Sequence, residues 1–150
     1  MTLINYITPE LTVCNDIHIH NKKQALEEIS QLISKVNENI KTGDVLSALL
    51  QRERLGSTSI GYGIAIPHAR VANLDEPLCT LMTLKNAIRF DADTKTAVDI
   101  VFGLVVPEEA TEQHVKLLSE LAEKLQDKSF RKRLRSAQSN AELYHILTET

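Results

Sequence analysis

Residues 56–70 read GSTSIGYGIAIPHAR, and their pattern predicts a strand that presents a histidine on a stiff backbone. The alternation of small residues with isoleucine over residues 63–66 is typical of a short strand. Pro67 lacks the N–H that a sheet ladder needs, so the strand should stop there and His68 should lie at its end. Pro67 also fixes its own φ and restricts Ile66 to extended conformations. Two interpretations follow, a reactive imidazole or a histidine that merely hydrogen-bonds a neighbour, and composition alone favours the second.

The first third of the chain predicts one strand and two helices. Residues 16–20, DIHIH, are typical of a strand. Asn21 can cap the next helix, whose apolar positions keep helical spacing at Ala25, Leu26, Ile29, Leu32, Ile33 and Val36. A second helix should run from about Asp44 to Arg54 and end at Leu55 and Gly56.

Two apolar segments and a helical tail follow. Residues 78–84 and 97–106 are predicted to be interior strands. The polar segment between them must turn the chain, and it contains Asp91, Asp93 and Thr94. From Thr111 onward the pattern is helical, and Ser139 with Glu142 forms a capping box for the last helix. Strands interleaved with helices predict an α/β sandwich in which helices flank a central sheet.

Composition favours one domain over residues 1–150, since 43% hydrophobic content suffices for a substantial core. The longest apolar stretch, Val101 to Val106, is far too short to span a bilayer, and no secretory signal opens the chain, so we expect a cytoplasmic protein without membrane insertion. A formal net charge of −3 gives no reason to expect nucleic acid as the main partner. Cys14 and Cys79 lack CxxC spacing and are expected to be reduced thiols in the core, not a disulfide or zinc site.

Other polar clusters carry weaker predictions. Phe130 and Leu134 make the surrounding basic run typical of a solvated helix face, with contact to an acidic partner as the alternative; the run comprises Arg131, Lys132, Arg133 and Arg135. His18 and His20 would share one strand face, but two histidines without a third ligand are usually structural, so no metal is expected. His145 reads as an ordinary amphipathic position.

The stretch IGYGIAIPHA resembles the phosphohistidine motif of EIIA domains of the fructose/mannitol class in the bacterial phosphotransferase system. The resemblance continues upstream through residues 52–59 and downstream through LVVPEEATEQHVKLLSELAEKL and RKRLRSAQSNAELYHIL, so it covers essentially the whole chain. Within the class, the chain is most similar to the nitrogen-related, stand-alone regulatory members. Two departures are Ala69, where glycine commonly follows the histidine, and Tyr62, where a small polar residue is common.

The resemblance implies that His68 is phosphorylated, at Nε2, and that His114 is the second active-site histidine. The residues themselves place His114 in the first turn of a helix capped by Thr111, one turn before a buried stripe formed by Leu118, Leu121 and Leu125. A helix N-terminus suits a phosphate and keeps an imidazole neutral, although a semi-buried histidine packed for shape is the alternative.

Three further groups complete the predicted site. The resemblance places the family's arginine at Arg52, while the residues alone leave open whether Arg52 or Arg54 points inward. Ser57 and Thr58 either donate hydrogen bonds to the phosphoryl group or simply close the turn. An apolar rim for partner docking is predicted at Ile60, Tyr62 and Ile64.

The resemblance thus implies a phosphoryl relay that uses no cofactor, in which His68 accepts phosphate from an HPr-like carrier. Two roles compete downstream of that step. The chain would act as a regulatory module that controls partners such as potassium transporters or sensor kinases, or as a sugar-specific subunit that passes phosphate to an EIIB domain. The absence of EIIB, EIIC or HPr-like segments from these 150 residues favours regulation.

Overall fold

The computed structural model describes residues 2–90 and 97–149. Two short 3₁₀ turns come first, at Leu3–Tyr6 and Pro9–Leu11. The strands are β1 Thr12–Asp16, β2 Ser59–Gly61, β3 Ile64–Ala65, β4 His68–Val71, β5 Leu78–Ile88 and β6 Val98–Pro107. The helices are α1 Lys22–Val36, α2 Thr42–Arg54, α3 Thr111–Leu125, α4 Lys128–Ser136 and α5 Asn140–Thr148. The turn predicted at Asp91, Asp93 and Thr94 lies outside the described residues.

The strands form one mixed sheet in which β6 is central. The strand order is β1–β5–β6–β3–β2, and β4 also pairs with β6. β5 runs antiparallel to β6, whereas β3 and β4 run parallel to it. Residues 100–107 are all buried, as expected for a strand covered on both faces. The two predicted interior strands are therefore confirmed, and helices flank the sheet as predicted.

β3 and β4 lie one after the other along the same edge of β6. β3 pairs with residues 100–101 and β4 with residues 104–107. The first of these strands ends before Pro67, as predicted, because proline has no N–H to donate. However, the carbonyl of Pro67 accepts a hydrogen bond from the N–H of Leu104 at 2.9 Å, so pairing resumes at once. The prediction that His68 lies at the end of a strand is therefore wrong, because His68 begins β4 and sheet pairing holds the backbone on both sides of it.

The strand predicted at residues 16–20 is wrong, because β1 ends where that strand was to begin. Asn15 has a φ of 51°, in the left-handed region, and the pairing of β1 with β5 shifts register between Val13 and Asp16. The side chain of Asp16 then accepts a hydrogen bond from the N–H of His18 at 2.7 Å and turns the chain. His18 and His20 consequently share no strand face.

The helix predictions at both ends of the chain are confirmed. The side chain of Asn21 accepts a hydrogen bond from the N–H of Gln24 at 2.9 Å and caps α1. The apolar positions of α1 are buried except Val36, which is 39% exposed at the end of the helix. The hydroxyl of Ser139 likewise accepts from the N–H of Glu142 at 3.1 Å and caps α5. None of the helices in residues 2–90 and 97–149 has the length and apolar character needed to cross a membrane.

α1 packs closely on the sheet at Gly103, in the middle of β6. A Cβ added there would lie 2.8 Å from Cγ2 of Ile29 on α1 and would also collide with the hydroxyl oxygen of Thr80 on β5. That hydroxyl accepts a hydrogen bond from the N–H of Gly103 at 3.2 Å. Glycine at this position therefore allows the helix and the sheet to approach each other.

We expect Gly103→Ala to lower the free energy of unfolding by about 1–3 kcal/mol, because the added methyl group overpacks a filled core. The measurement is urea denaturation followed by circular dichroism. Gly43→Ala in α2 is the matched control, since a Cβ there meets no atom within 4 Å. This control should not lose stability, because the added methyl group meets no neighbour and alanine favours a helix over glycine. Equal effects of the two substitutions would contradict the packing argument.

Candidate functional site

His68 is the first residue of β4, and its two ring nitrogens have partners of opposite character. Nδ1 lies 2.7 Å from the carbonyl oxygen of Ile66, which can only accept a hydrogen bond. Nε2 lies 3.3 Å from Nε of Arg52, which can only donate one. A neutral imidazole satisfies both partners only when its proton is on Nδ1. These partners therefore assign the lone pair to Nε2, where it accepts the hydrogen bond from Arg52.

The surroundings of His68 favour the neutral ring. Burial is the main reason that the pKa of His68 lies below its ordinary value. The charge of Arg52 lowers this pKa further, whereas the hydrogen bond to Ile66 and the carboxylate of Glu53 act against the shift. The net effect keeps the lone pair of Nε2 available at neutral pH.

Arg52, and not Arg54, faces His68. Besides its contact with the imidazole, Arg52 donates a hydrogen bond from Nη1 to the carbonyl oxygen of Gly56 at 2.9 Å. That second bond holds the guanidinium beside the ring. Arg54 is exposed, because two residues along a helix correspond to a rotation of roughly 200° about its axis.

His114 lies in the first turn of α3, as predicted, and meets His68 edge-on. The ring centroids are 5.1 Å apart and the ring planes make an angle of 75°. Nε2 of His114 is buried and has no hydrogen-bond partner among the residues that the structure describes. Thr111 was predicted to be the N-cap of this helix, but Ala110 occupies that position and Thr111 is the first helical residue. The helix therefore starts without a side-chain cap beside the two histidines.

α3 packs on the core through its leucines, and the partial burial of His114 at the start of this helix keeps its ring neutral. Leu117, Leu121 and Leu125 are the buried residues of this helix. Leu118, which was predicted to lie on the buried stripe, is only half-buried and lines the pocket beside His68. Burial lowers the pKa of His114 to about 4; the neighbouring His68 ring disfavours a second charge beside it, and the positive charges of Arg70 and Arg52 act in the same direction.

Arg70 is a residue of this site that the sequence prediction missed. Its Nη1 lies 3.5 Å from the hydroxyl oxygen of Thr111, at the start of α3. Its charge also contributes to the low pKa of His114. The signal was present, since residues two apart in a strand point to the same face, and Arg70 follows His68 by two. Together with Arg52, it places two guanidinium groups around the histidine pair.

A pocket of about 250 Å³ opens beside His68, and its wall includes Ser57 and Thr58. The hydroxyl of Thr58 donates a hydrogen bond to the carboxylate of Glu53. The hydroxyl oxygen of Ser57 accepts one from the N–H of Ser59 at 3.1 Å. Both side chains thus close the turn. The Ser57 oxygen acts as an acceptor in that bond, so its proton is left for a group bound in the pocket.

The predicted apolar rim does not form as one surface. Ile60 is 42% exposed and lines the pocket beside His68. Ile64 is fully buried between β2 and β6, so its assignment to a docking surface was wrong. Tyr62 is 58% exposed but lies at the far end of the β2–β3 turn, outside that pocket.

Part of the predicted solvated face of α4 packs against this turn. Arg131 is buried, and its guanidinium carbon lies 3.9 Å from the centroid of the Tyr62 ring. Nη1 of Arg131 donates a hydrogen bond at 2.6 Å to the carbonyl oxygen of Leu125, the last residue of α3. Arg135 forms an ion pair with Asp99 and donates a hydrogen bond to the carbonyl oxygen of Tyr62. The description as a solvated face was therefore wrong for Arg131, whereas Arg135 remains exposed despite these contacts.

The remaining candidate ligands stay apart. Within the described part of the chain, no three histidine, cysteine, aspartate or glutamate side chains are grouped so that they could hold a metal ion. Cys79 is buried and Cys14 half-buried, both as free thiols. His145 lies 2.7 Å from Glu149 on the exposed side of α5.

Comparison with known proteins identifies the family of this chain. The family described as "Phosphoenolpyruvate-dependent sugar phosphotransferase system, EIIA 2" matches residues 5–150. A nitrogen regulatory protein of Klebsiella oxytoca is 41% identical over 150 residues, which span 99% of this chain and 91% of that protein.

Solved structures share the architecture. The nitrogen regulatory protein IIA-Ntr of Neisseria meningitidis matches with a TM-score of 0.86 and 33% identity, over 96% of this chain and 97% of the other. The mannitol IIA of Escherichia coli, at 21% identity, matches with a TM-score of 0.76 over 93% and 97% of the two chains and therefore shares the fold. From the family match and these relatives, the chain belongs to the EIIA type 2 family of the phosphotransferase system.

Proposed function

We propose that this protein is a phosphoryl relay that accepts phosphate from an HPr-like carrier on His68 and regulates partner proteins through its phosphorylation state. The observation that carries the proposal is the neutral His68 ring, with its proton directed to Ile66 and its lone pair on Nε2. A nucleophile of this kind needs no general base, because nothing has to be deprotonated before attack.

The transfer step balances without an added reactant. The Nε2 lone pair of His68 attacks the phosphorus of the carrier's phosphohistidine, and a new N–P bond forms. The carrier's own N–P bond breaks, and its imidazole leaves with that electron pair. The proton on Nδ1 of His68 stays in its hydrogen bond to Ile66, which stabilises the positive charge that the ring gains.

The residues around His68 suit the transferred group. Phosphoryl transfer proceeds through a loose transition state with negative charge on the peripheral oxygens, so fixed cations and N–H donors stabilise it. Arg52 and Arg70 supply the positive charge. Nε2 of His114 is buried without a partner in the described part of the chain, and with the proton of the neutral ring on this atom it would donate a hydrogen bond to a phosphoryl oxygen.

A regulatory role is favoured over sugar uptake. Relatives with 33–41% identity across nearly the whole chain carry the name nitrogen regulatory protein, whereas the mannitol IIA shares only the fold. We infer that the downstream partners are proteins whose activity depends on whether His68 carries phosphate.

Incubation with phosphoenolpyruvate, enzyme I and an HPr-type carrier should add one phosphoryl group to the wild-type protein. Intact mass measured under non-acidic conditions reports the label. His68→Ala should remain unlabelled, because Nε2 of His114 is buried and cannot reach the phosphorus of a carrier's phosphohistidine. His145→Ala, which changes an exposed histidine outside the site, is the control and should label like the wild type. Labelling of His68→Ala would refute the assignment of the nucleophile.

A second measurement separates regulation from sugar transport. Phosphorylated protein is mixed with a purified EIIB domain of the fructose/mannitol class, and loss of label is followed by mass spectrometry. If the protein is regulatory, we expect the phosphoryl group to remain on His68. Complete transfer within the mixing time would instead assign the protein to sugar uptake.

We expect Arg52→Gln and His114→Ala each to slow labelling of His68 by about 100-fold, the usual effect of removing one group that stabilises a developing negative charge. Arg54→Gln is the matched control for Arg52, because it removes the same charge two residues away on the exposed side of α2. Single-turnover labelling rates provide the comparison. Equal losses for Arg52→Gln and Arg54→Gln would show that only the net charge matters.

The low pKa of His114 predicts acid sensitivity. Between about pH 6.5, the ordinary histidine value, and pH 4, the unfolded chain binds a proton at this position that the folded protein excludes. The free energy of unfolding should therefore decrease as the pH is lowered from about 6.5 to 4. His114→Gln should lose less stability than the wild type over the same range. Urea midpoints from pH 7 to pH 4 test this, and NMR titration of His114 should give a midpoint near 4. Parallel pH profiles for the two proteins would contradict the prediction.

A further inference from the structure

A second pocket, separate from the one beside His68, lies between the β2–β3 turn and α4. It has a volume of about 300 Å³, and its wall is formed by Tyr62, Lys128, Arg131, Lys132 and Arg135. We call it the α4 pocket. Four of its five lining residues are cationic and the fifth is aromatic.

The α4 pocket is well separated from His68. Arg135 ties the β2–β3 turn to Asp99 on β6, whereas His68 pairs with Leu104 on the same strand. These two positions on β6 are five residues apart, which at ~3.3 Å per residue is roughly 17 Å. A group bound in the α4 pocket would therefore not contact a phosphoryl group on His68.

Three of the four cations lack a compensating carboxylate. Arg135 is neutralised by Asp99, with Nη2 of the arginine 3.0 Å from Oδ1 of the aspartate. Lys128, Arg131 and Lys132 form no ion pair with any carboxylate in residues 2–90 and 97–149. The pocket therefore has a local positive potential, although the whole chain has a formal net charge of −3.

Arg131 is the feature that a solvated helix face does not explain. A buried guanidinium is costly unless it is paired, and this one is balanced only by dipoles, namely the Leu125 carbonyl at the end of α3 and the face of the Tyr62 ring. Its charge is fixed in position but not cancelled. An anion in the pocket would meet a pre-positioned donor and would not have to order a flexible side chain.

We propose that the α4 pocket is a docking site for an acidic segment of a partner protein. Lys128, Arg131, Lys132 and Arg135 have i, i+3, i+4 and i+7 spacing on one helix face, spread over about 10 Å of α4. That spread matches successive carboxylates of a peptide better than one small anion. The exposed ring of Tyr62 offers an apolar contact beside the cations, and tyrosine and arginine are both enriched at protein interfaces.

Fluorescence anisotropy at fixed salt concentration tests the proposal with a labelled glutamate-rich peptide that contains one central phenylalanine. The wild-type protein should bind it, and the same peptide with glutamine in place of glutamate should not bind. Lys128→Glu and Lys132→Glu should each weaken binding about tenfold, which corresponds to ~1.4 kcal/mol. Lys23→Glu makes the same charge change at an exposed position on α1 and should bind like the wild type.

Other outcomes would overturn the proposal. Unchanged peptide affinity in Lys132→Glu would exclude the α4 pocket as the binding site. Displacement of the peptide by an equal concentration of inorganic phosphate would identify a small-anion site. Tighter binding of a single-stranded oligonucleotide that depends on Lys132 would identify a nucleic-acid site. Labelling of Lys132→Glu at His68 should match the wild type, so failure of the relay and failure of the docking site can be told apart.

Discussion

The pairing of β4 with β6 is the interaction on which the rest of the site depends. This pairing places His68 beside Leu104 of β6. Residues 100–107 of β6 are all buried. β6 ends at Pro107 and α3 begins at Thr111, so the chain has only a short connection in which to turn. That connection brings the first turn of α3 back over β4. The edge-on contact of the two imidazoles is therefore a consequence of sheet register and loop length.

The site combines neutral imidazoles with fixed cations. Burial and nearby positive charge keep both rings unprotonated, while Arg52 and Arg70 remain charged beside them. In the absence of a ligand, this arrangement leaves the Nε2 atom of His114 buried without a partner in the described part of the chain. Such a group destabilises the empty site and favours an incoming oxygen anion, so affinity for a phosphoryl group and reduced stability have the same physical origin.

The β2–β3 turn divides its surface between two pockets. Ile60 faces the pocket of His68, whereas Tyr62 packs on Arg131 and is held through its carbonyl by Arg135. The turn is thus fixed to α4, an element distant in sequence. Because one short hairpin contributes to both pockets, a partner that covers the turn could contact both at once. The pocket beside His68 would then take part in phosphoryl transfer, and the α4 pocket would bind acidic groups of the partner.

The local patterns of the sequence were sufficient for much of this structure. The cap at Asn21, the end of α2, the interior strands and the special place of His68 after Pro67 follow from residue chemistry, because capping, φ restriction and hydrophobic periodicity act over a few residues. The strand predicted at residues 16–20 failed because the left-handed Asn15 makes β1 irregular and the side chain of Asp16 turns the chain directly after it, and the backbone conformation of an asparagine depends on its neighbours in space.

Long-range packing decided the rest. Four features depend on contacts between elements that are far apart in the chain. They are the orientation of Arg52 towards His68, the charge that Arg70 adds to the site, the burial of Ile64 and the packing of Tyr62 on α4. The sequence by itself determined most of the helices, the interior strands and the placement of an imidazole directly after Pro67. Only the tertiary structure decided which charges surround that imidazole, because distance and burial, and not sequence spacing, set electrostatic interactions.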